Sequence, residues 1–244
     1  MMNKNKTALI TGSGKRIGAA ISRAFHSRGY NIIAHFNSSS KEIESLEEEL
    51  NKKRKGSCIT FQANFFEEES LERFIEDTLK QTNRLDVLVN NASTFFPKKL
   101  SESSAEDLNN LYQTNTFVPF FLIKAFETLL KESNGSVVNL SDAMVKGGIK
   151  EYSLYTAAKS SLESLTKSLA KELGPEIRVN AVAPGIILWP EDEELSEESK
   201  DKLIEKTALR RIGSPEDIAN AVLTVHELSY MTGQILNVDG GREH

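Results

Sequence analysis

The sequence predicts an α/β protein: one doubly wound, seven-stranded parallel sheet with helices on both faces. Two observations carry this expectation. Short β-rich runs alternate with longer segments of helical period, and those runs are apolar on both faces, as strands covered on both sides of a parallel sheet are. A chain of 244 residues with 39% hydrophobic content can bury one substantial core. Length alone leaves one large domain or two small ones open. The alternation of strand and helix along the chain selects one domain over residues 1–244.

The elements follow in order. Candidate strands are "TALIT" (7–11), "NIIAHF" (31–36), "SCITFQA" (57–63), "LDVLVNNA" (85–92), "GSVVNLS" (135–141), "IRVNAVAP" (177–184) and "GQILNVDG" (233–240). Between the first two, Ile17, Ile21, Ala24 and Phe25 share one helical face, and Gly29 stands in the C′ position that ends the helix. Ile43, Leu46 and Leu50 do the same in the next segment. The alternation lapses between Ile186 and Ser214, where an acidic, amphipathic excursion follows a strand's carboxyl end. Two readings remain open: a lid closing Leu195, Leu203, Ile204 and Leu209 over a small molecule, or a surface helical hairpin with a solvated acidic face. Ser214, Pro215 and Asp217 then restart a helix as N-cap, N1 and capping-box residues.

Composition excludes several classes. The 30 basic and 35 acidic residues leave a net charge of -5, which makes a nucleic-acid surface an unlikely fit. No stretch reaches the ~18 to 20 apolar residues needed to cross a bilayer. The apolar run near the N-terminus is too short for a signal-peptide core. The single cysteine, Cys58, lies in an apolar run and cannot form an internal disulfide. A cytoplasmic protein is expected. His26, His35, His226 and His244 are scattered over different elements and indicate no metal site.

"TALITGSGKRIGAAISRAF" reads as strand, glycine turn and helix, a turn that aims backbone N–H groups and a positive helix end at a phosphate. Gly12, Gly14 and Gly18 form G-x-G-x-x-x-G, one residue longer than the common dinucleotide fingerprint. The same glycines could serve only a tight turn. The second strand ends "AHFNSSS", without the acid that holds the ribose hydroxyls of NAD. Asn37, Ser38 and Ser39 can donate hydrogen bonds and Arg16 can supply charge, so NADP(H) is favoured over NAD(H). One serine of that run can also cap the following helix.

Tyr155 and Lys159 are spaced i, i+4 and share a helix face. A free tyrosine has a pKa of about 10 and needs a nearby cation to bring it toward neutrality. Lys159 is the expected source of that shift, with an oxidised nicotinamide. Upstream, "VVNLSDAMV" (137–145) places Ser141 and Asp142 side by side as possible partners of the tyrosine.

Read together, "TGSGKRIG", "NNAS" (90–93), Asn115 in "YQTNTF", "YTAAK" (155–159), "RVNAVAPG" (178–185) and "NVDGG" (237–241) resemble the short-chain dehydrogenase/reductase family, in order and spacing over nearly the whole chain. The resemblance implies a Rossmann fold, nicotinamide-dependent hydride transfer and a homotetramer. It implies catalytic roles for Tyr155 and Lys159, with Asn115 holding a proton-relay water. Gly12, Arg16, Ile17, Gly18, Asn37, Ser38, Ser39, Asn64, Asn91, Ala92, Tyr155, Lys159, Pro184 and Gly185 become the expected contacts of NADPH/NADP.

The family's active-site serine stands thirteen residues before the tyrosine, and here that position is Asp142. A carboxylate there repels the charge that gathers on a carbonyl oxygen during reduction, whereas it suits a substrate needing a proton on a ring nitrogen. Arg16 in place of a glycine, Ser93 after "NNA" and the following Phe95 and Phe96, together with "SDAM", resemble the pteridine reductases. That resemblance implies a pterin or folate substrate contacted by Arg16, Ser93, Phe95 (by stacking), Asp142 and Tyr155. Three positions depart from the pattern. Ser38 replaces an arginine and Asn64 an aspartate near the adenine. Trp189 replaces a threonine, and either lines the pterin pocket or anchors the lid. Two other functions stay in view: a carbonyl reductase of the same family acting on 3-oxoacyl thioesters, and an NADP-sensing binding protein without catalysis.

Overall fold

In the computed structural model, residues 5–189 and 196–242 are described. Seven parallel strands form one sheet: β1 (Thr7–Ile10), β2 (Asn31–Phe36), β3 (Cys58–Gln62), β4 (Val87–Asn90), β5 (Ser136–Leu140), β6 (Arg178–Pro184) and β7 (Ile235–Val238). Their order is β3-β2-β1-β4-β5-β6-β7, so the chain winds outward in one direction from β1 and, from β4 on, in the other. The predicted doubly wound sheet is therefore observed. Its strands are shorter than the apolar runs, because the last residues of those runs leave the ladder for turns: Thr11 at β1, Asn91 and Ala92 at β4, and Ser141 at β5 all lie past their strand ends.

Alternate side chains of each strand feed two cores, as the period of two requires. On one face Ala8, Ile10, Ile32 and Ala34 pack under α1 (Arg16–Ser27), α2 (Ser40–Lys53) and α8 (Pro215–Glu227), through Phe25, Leu46 and Val222 among others. On the other, Leu9, Ile33 and Leu88 meet α3 (Glu68–Gln81), α5 (Val118–Glu132) and α6 (Ser153–Glu172), through Phe74, Phe126 and Leu169. The helical face expected over residues 43–50 is the buried one, with Ile43, Leu46 and Leu50 all covered. Gly29 adopts φ +89 just past the end of α1, where a residue with a Cβ would be strained. Cys58 is buried, and burial pushes its thiol up to about 12.

α4 (Ala105–Tyr112) runs into a wide π-turn over Gln113–Phe117 before α5 begins. In the excursion after β6, α7 (Glu197–Glu205) buries none of its residues. Leu203 and Ile204 are half-buried and Leu209 is 61% exposed. Leu195 lies outside the described residues, as does His244. Ser214 caps α8 as the sequence predicts: its side chain accepts from the Asp217 amide, and the Asp217 carboxylate accepts from the Ser214 amide at 2.9 Å. Among the described residues no helix is long and apolar enough to cross a membrane.

Candidate active site

A cleft of about 450 Å³ opens at the carboxyl ends of the strands, over the place where the winding reverses between β1 and β4. Open α/β sheets bind ligands at that switch point. Three motifs distant in sequence line the cleft: the glycine turn, the polar end of β2 and the Asp142–Tyr155–Lys159 group.

The glycines are explained first by close packing. A Cβ on Gly18 would lie 2.0 Å from the Gly12 carbonyl oxygen, and one on Gly14 would lie 2.6 Å from the Ser39 Cβ. Gly12 itself has φ +66 and sits against Asn91 and Ala92. The turn is fastened to β4 by Thr11, whose Oγ1 accepts from the amides of Asn91 and Ala92, both at 2.9 Å. Asn91 Nδ2 returns bonds to the carbonyls of Thr11 and Gly12 at 2.9 and 3.0 Å.

The helix that follows starts without the capping chemistry of α4 and α8. α4 and α8 close their first turns with a serine and an aspartate, whereas α1 has neither a side-chain cap nor an acidic residue in its first turn. Arg16, its first residue, takes φ +55, a conformation costing an L-residue roughly 1–2 kcal/mol. An uncapped positive helix end facing a cleft, reached by a strained backbone, is a fitting cradle for an anion. Asn37, Ser38 and Ser39 line the neighbouring wall with no acidic residue among them. Ser39 also stands at the N-cap of α2, but its side chain makes no capping bond. These residues fit a dinucleotide bearing a 2′-phosphate.

At the other end of the cleft, Tyr155 Oη donates to Asp142 Oδ2 at 2.8 Å, and Asp142 Oδ1 accepts from the Met144 amide at 2.8 Å. Lys159, 3% exposed, donates to the Leu140 carbonyl at 2.7 Å and stands 6.0 Å from the centre of the Tyr155 ring. Burial pushes this lysine down to about 8 against the opposing charge of Asp142. Tyr155 contradicts the expected shift toward neutrality: burial, then the Asp142 charge and hydrogen bond, raise its hydroxyl well above the ordinary value. Burial first and the neighbouring carboxylate second both favour the neutral phenol, so this hydroxyl keeps its proton across the neutral range.

Ser141 is turned the other way. Its hydroxyl donates to Glu163 Oε1 on α6 at 2.7 Å, leaving Asp142 as the tyrosine's partner. Asn115 is positioned by the π-turn, which frees the Leu111 carbonyl to accept from its Nδ2 at 2.8 Å, alongside the Thr94 carbonyl at 2.8 Å. Asn115 Oδ1 accepts from Ser93 Oγ at 2.7 Å. Both donors of Asn115 are thus engaged within the protein, and its link to the site runs through Ser93.

The remaining expected contacts are placed less directly. Pro184, Gly185 and Ile17 line the cleft. Asn64 does not: its side chain donates to Glu67 Oε1 and accepts from the Phe66 amide, a local turn before α3 that takes it off the cleft wall. Phe95, 44% exposed, lies flat against Tyr152 at 4.6 Å and edge-on to Tyr155 at 4.8 Å, beside the cleft and not within its lining. Arg16 reaches the Trp189 carbonyl at 3.5 Å, so these two expected substrate contacts meet each other. Among the lining residues without a predicted role is His35, whose Nδ1 accepts from the Gly12 amide at 3.1 Å. Strand pairing could have pointed to it, since Ile10 pairs with Ala34 and His35 is the next residue along.

The switch-point cleft, the glycine turn and the Asp142–Tyr155–Lys159 group define an α/β oxidoreductase of the doubly wound type. The family model described as Enoyl-(Acyl carrier protein) reductase matches residues 12–243, and the chain belongs to this branch of the short-chain dehydrogenase/reductase family. It is similar to Pteridine reductase 1 of Leishmania tarentolae, with 33% identity covering 96% of this chain and 95% of that one. It is as similar to the 3-oxoacyl-(acyl-carrier-protein) reductase FabG of Staphylococcus aureus, with 34% identity covering 98% and 99%. Among solved structures, a blue fluorescent protein from a metagenomic library in complex with NADPH superposes with a TM-score of 0.89 at 31% identity, covering 97% of both chains.

Proposed function

We propose that this protein is an NADPH-dependent reductase of pterin or dihydrofolate rings. The observation that carries the reading is the 2.8 Å bond from Tyr155 to Asp142, a carboxylate in the position from which a substrate would be protonated. NADPH, when bound, supplies the hydride. The rest of the chemistry belongs to the chain's own side chains. Asp142 presents two oxygens that accept hydrogen bonds, one from Tyr155 and one from Met144. Such a group welcomes the N–H groups of a heterocycle and opposes an alkoxide. Two like charges at 4 Å repel by about 4 kcal/mol at an effective dielectric near 20. Tyr155 would give its proton to the ring nitrogen, and the tyrosinate left behind would be reprotonated from solvent by way of Asp142, its hydrogen-bond partner. Lys159 keeps a positive charge beside the pair below about pH 8. Ser93 and Phe95 bound the same end: the Ser93 hydroxyl gives its one proton to Asn115 and so offers a flat ring an acceptor oxygen, and Phe95 gives it an aromatic neighbour.

A second reading has its own support. The 3-oxoacyl reductase relative is no more distant than the pteridine reductase, so carbonyl reduction of an acyl thioester is the alternative. Steady-state rates with dihydrobiopterin, dihydrofolate and a 3-oxoacyl thioester, each with NADPH and NADH, separate the two. Pterin turnover well above thioester turnover is expected, and the reverse overturns the proposal. Asp142→Ser is expected to lose about 100-fold or more of pterin reduction, the usual scale of a lost acid–base group, while NADPH titrates as in the wild type. Unchanged pterin turnover in that variant removes Asp142 from the mechanism. Absence of NADPH oxidation with every substrate would instead favour a cofactor-sensing protein.

A further inference from the structure

We infer that His35 is a positioning residue for the glycine turn: its ring fixes the Gly12 amide and thereby sets the geometry in which the turn receives a dinucleotide. This rests on the nicotinamide-dinucleotide reading of the cleft and adds a residue to it. The ring is 2% exposed and uses both nitrogens. The Ala63 carbonyl, 3.0 Å from Nε2, can only accept, so Nε2 carries the proton. The Gly12 amide, 3.1 Å from Nδ1, can only donate, so Nδ1 is bare. The two partners therefore select one neutral tautomer. Phe65 lies parallel to the ring at 3.9 Å and Phe74 meets it edge-on at 5.2 Å, which leaves the imidazole one orientation.

The attachment is double. While the ring takes the Gly12 amide, the main-chain carbonyl of His35 takes the Ser13 amide at 2.7 Å. Two consecutive residues of the turn are thus hung on the end of β2. The second link is backbone and survives any substitution; the first depends on an acceptor at the δ position of residue 35. Gly12 is also where the turn is most exacting, with φ +66 and Asn91 and Ala92 packed against it. The anchor reaches further, because the carbonyl of Phe65, on which the ring rests, accepts from Gln113 Nε2 at 3.0 Å at the start of the π-turn that bears Asn115. A protonated ring would set an N–H against the Gly12 N–H. Burial pushes the imidazole down to about 4, which keeps it neutral at ordinary pH.

Two variants separate positioning from packing. His35→Phe keeps a ring against Phe65 but offers no acceptor, whereas His35→Asn keeps an acceptor on the δ atom. The first readout is hydrogen exchange of the Gly12 amide in the free protein, and the second is the Kd for NADPH by fluorescence titration. Exchange at Gly12 is expected to quicken at least tenfold in His35→Phe, and its Kd to rise about tenfold, the size of effect that one net hydrogen bond carries. His35→Asn is expected to stay within about threefold of wild type in both. Unchanged Gly12 exchange and Kd in His35→Phe overturn the inference while leaving the cofactor reading intact. So does an equal loss in both variants, which would show packing alone. A wild-type protein that fails to bind NADPH overturns the cofactor reading, and the inference falls with it.

Discussion

The two ends of the sheet hold nearly the same polar groups and use them in opposite ways. At the carboxyl ends stand a tyrosine, an aspartate, a lysine and a histidine: Tyr155, Asp142, Lys159 and His35. At the amino ends stand Tyr30, Asp86, Arg84, Arg178 and His226. There Tyr30 Oη lies 2.8 Å from His226 Nε2, Ser136 Oγ lies 2.6 Å from His226 Nδ1, and Arg178 Nη2 donates to the His226 carbonyl at 2.5 Å. Asp86 accepts from the Thr7 amide at 2.8 Å and from both Nε and Nη2 of Arg84. The shifts match as well. Burial pushes both His35 and His226 down to about 4; it raises Tyr30 to about 12 and Tyr155 also upward. Perturbed ionisation therefore does not distinguish a site from a brace. What distinguishes them is access: Asp142, Tyr155, Lys159 and His35 all line the 450 Å³ cleft, and none of the amino-end groups does.

The sharpest way to break this comparison is to remove one hydroxyl from each end. Tyr155→Phe deletes the proton donor and is expected to lower turnover by roughly two to four orders of magnitude, with little change in melting temperature. Tyr30→Phe leaves His226 short of a buried partner, which costs about 1–3 kcal/mol, and is expected to lower the melting temperature while turnover per folded molecule holds. Paired activity and thermal-melt measurements on the two proteins check this. A Tyr30 variant that folds as wild type but turns over slowly would make the amino end part of the machinery.

The shared behaviour of the two histidines gives a smaller effect. Each is held neutral in the fold, at about 4 against an ordinary 6.5. A group with a lowered folded pKa contributes stability that is complete above its unfolded value and is lost as pH falls. The window here runs from 6.5 down to about 4. By pH 5 the loss is on the order of 2 kcal/mol for each histidine. Denaturant midpoints across that range should fall steeply in the wild type. His226→Gln should fall less steeply, because one of the acid-sensitive groups is gone. Parallel slopes would show that His226 does not drive the acid loss.

Sequence reading reached the fold and part of the site, for reasons visible in particular residues. Strands buried on both faces leave continuous apolar runs, so all seven were legible, and their ends were not, because Thr11, Asn91 and Ser141 are as apolar or as polar as their neighbours yet turn away from the ladder. Ser214 and Asp217 announce a helix start because capping is local chemistry. Spacing to Tyr155 selected Asp142 over Ser141, and the 2.8 Å contact agrees with it. Relations between elements were not legible. Neither the bond from Ser93 to Asn115 nor the π-turn that makes it possible has a short-range signature. The direction of the Tyr155 shift depends on how deeply the hydroxyl is buried and on its bond to Asp142, and residue order carries neither. His35 has no short-range signature either, because its partner is a backbone amide brought beside it by the pairing of β1 with β2.

The smallest expected effect tests the choice between two adjacent residues at the carboxyl end of β5. Ser141 is 5% exposed and its hydroxyl belongs to Glu163; Asp142, one residue on, reaches the tyrosine. Ser141→Ala removes one bond to a carboxylate that keeps partial access to water, a cost of about 1 kcal/mol in stability. Asp142 retains its own anchor at the Met144 amide, so pterin turnover should stay within about threefold of wild type, far from the loss expected of Asp142→Ser. If Ser141→Ala instead slowed reduction as much as Asp142→Ser, the hydroxyl would have to swing from Glu163 toward the substrate during turnover. The protein would then carry the serine of a carbonyl reductase, one residue displaced, and the acyl thioester reading would gain over the pterin one.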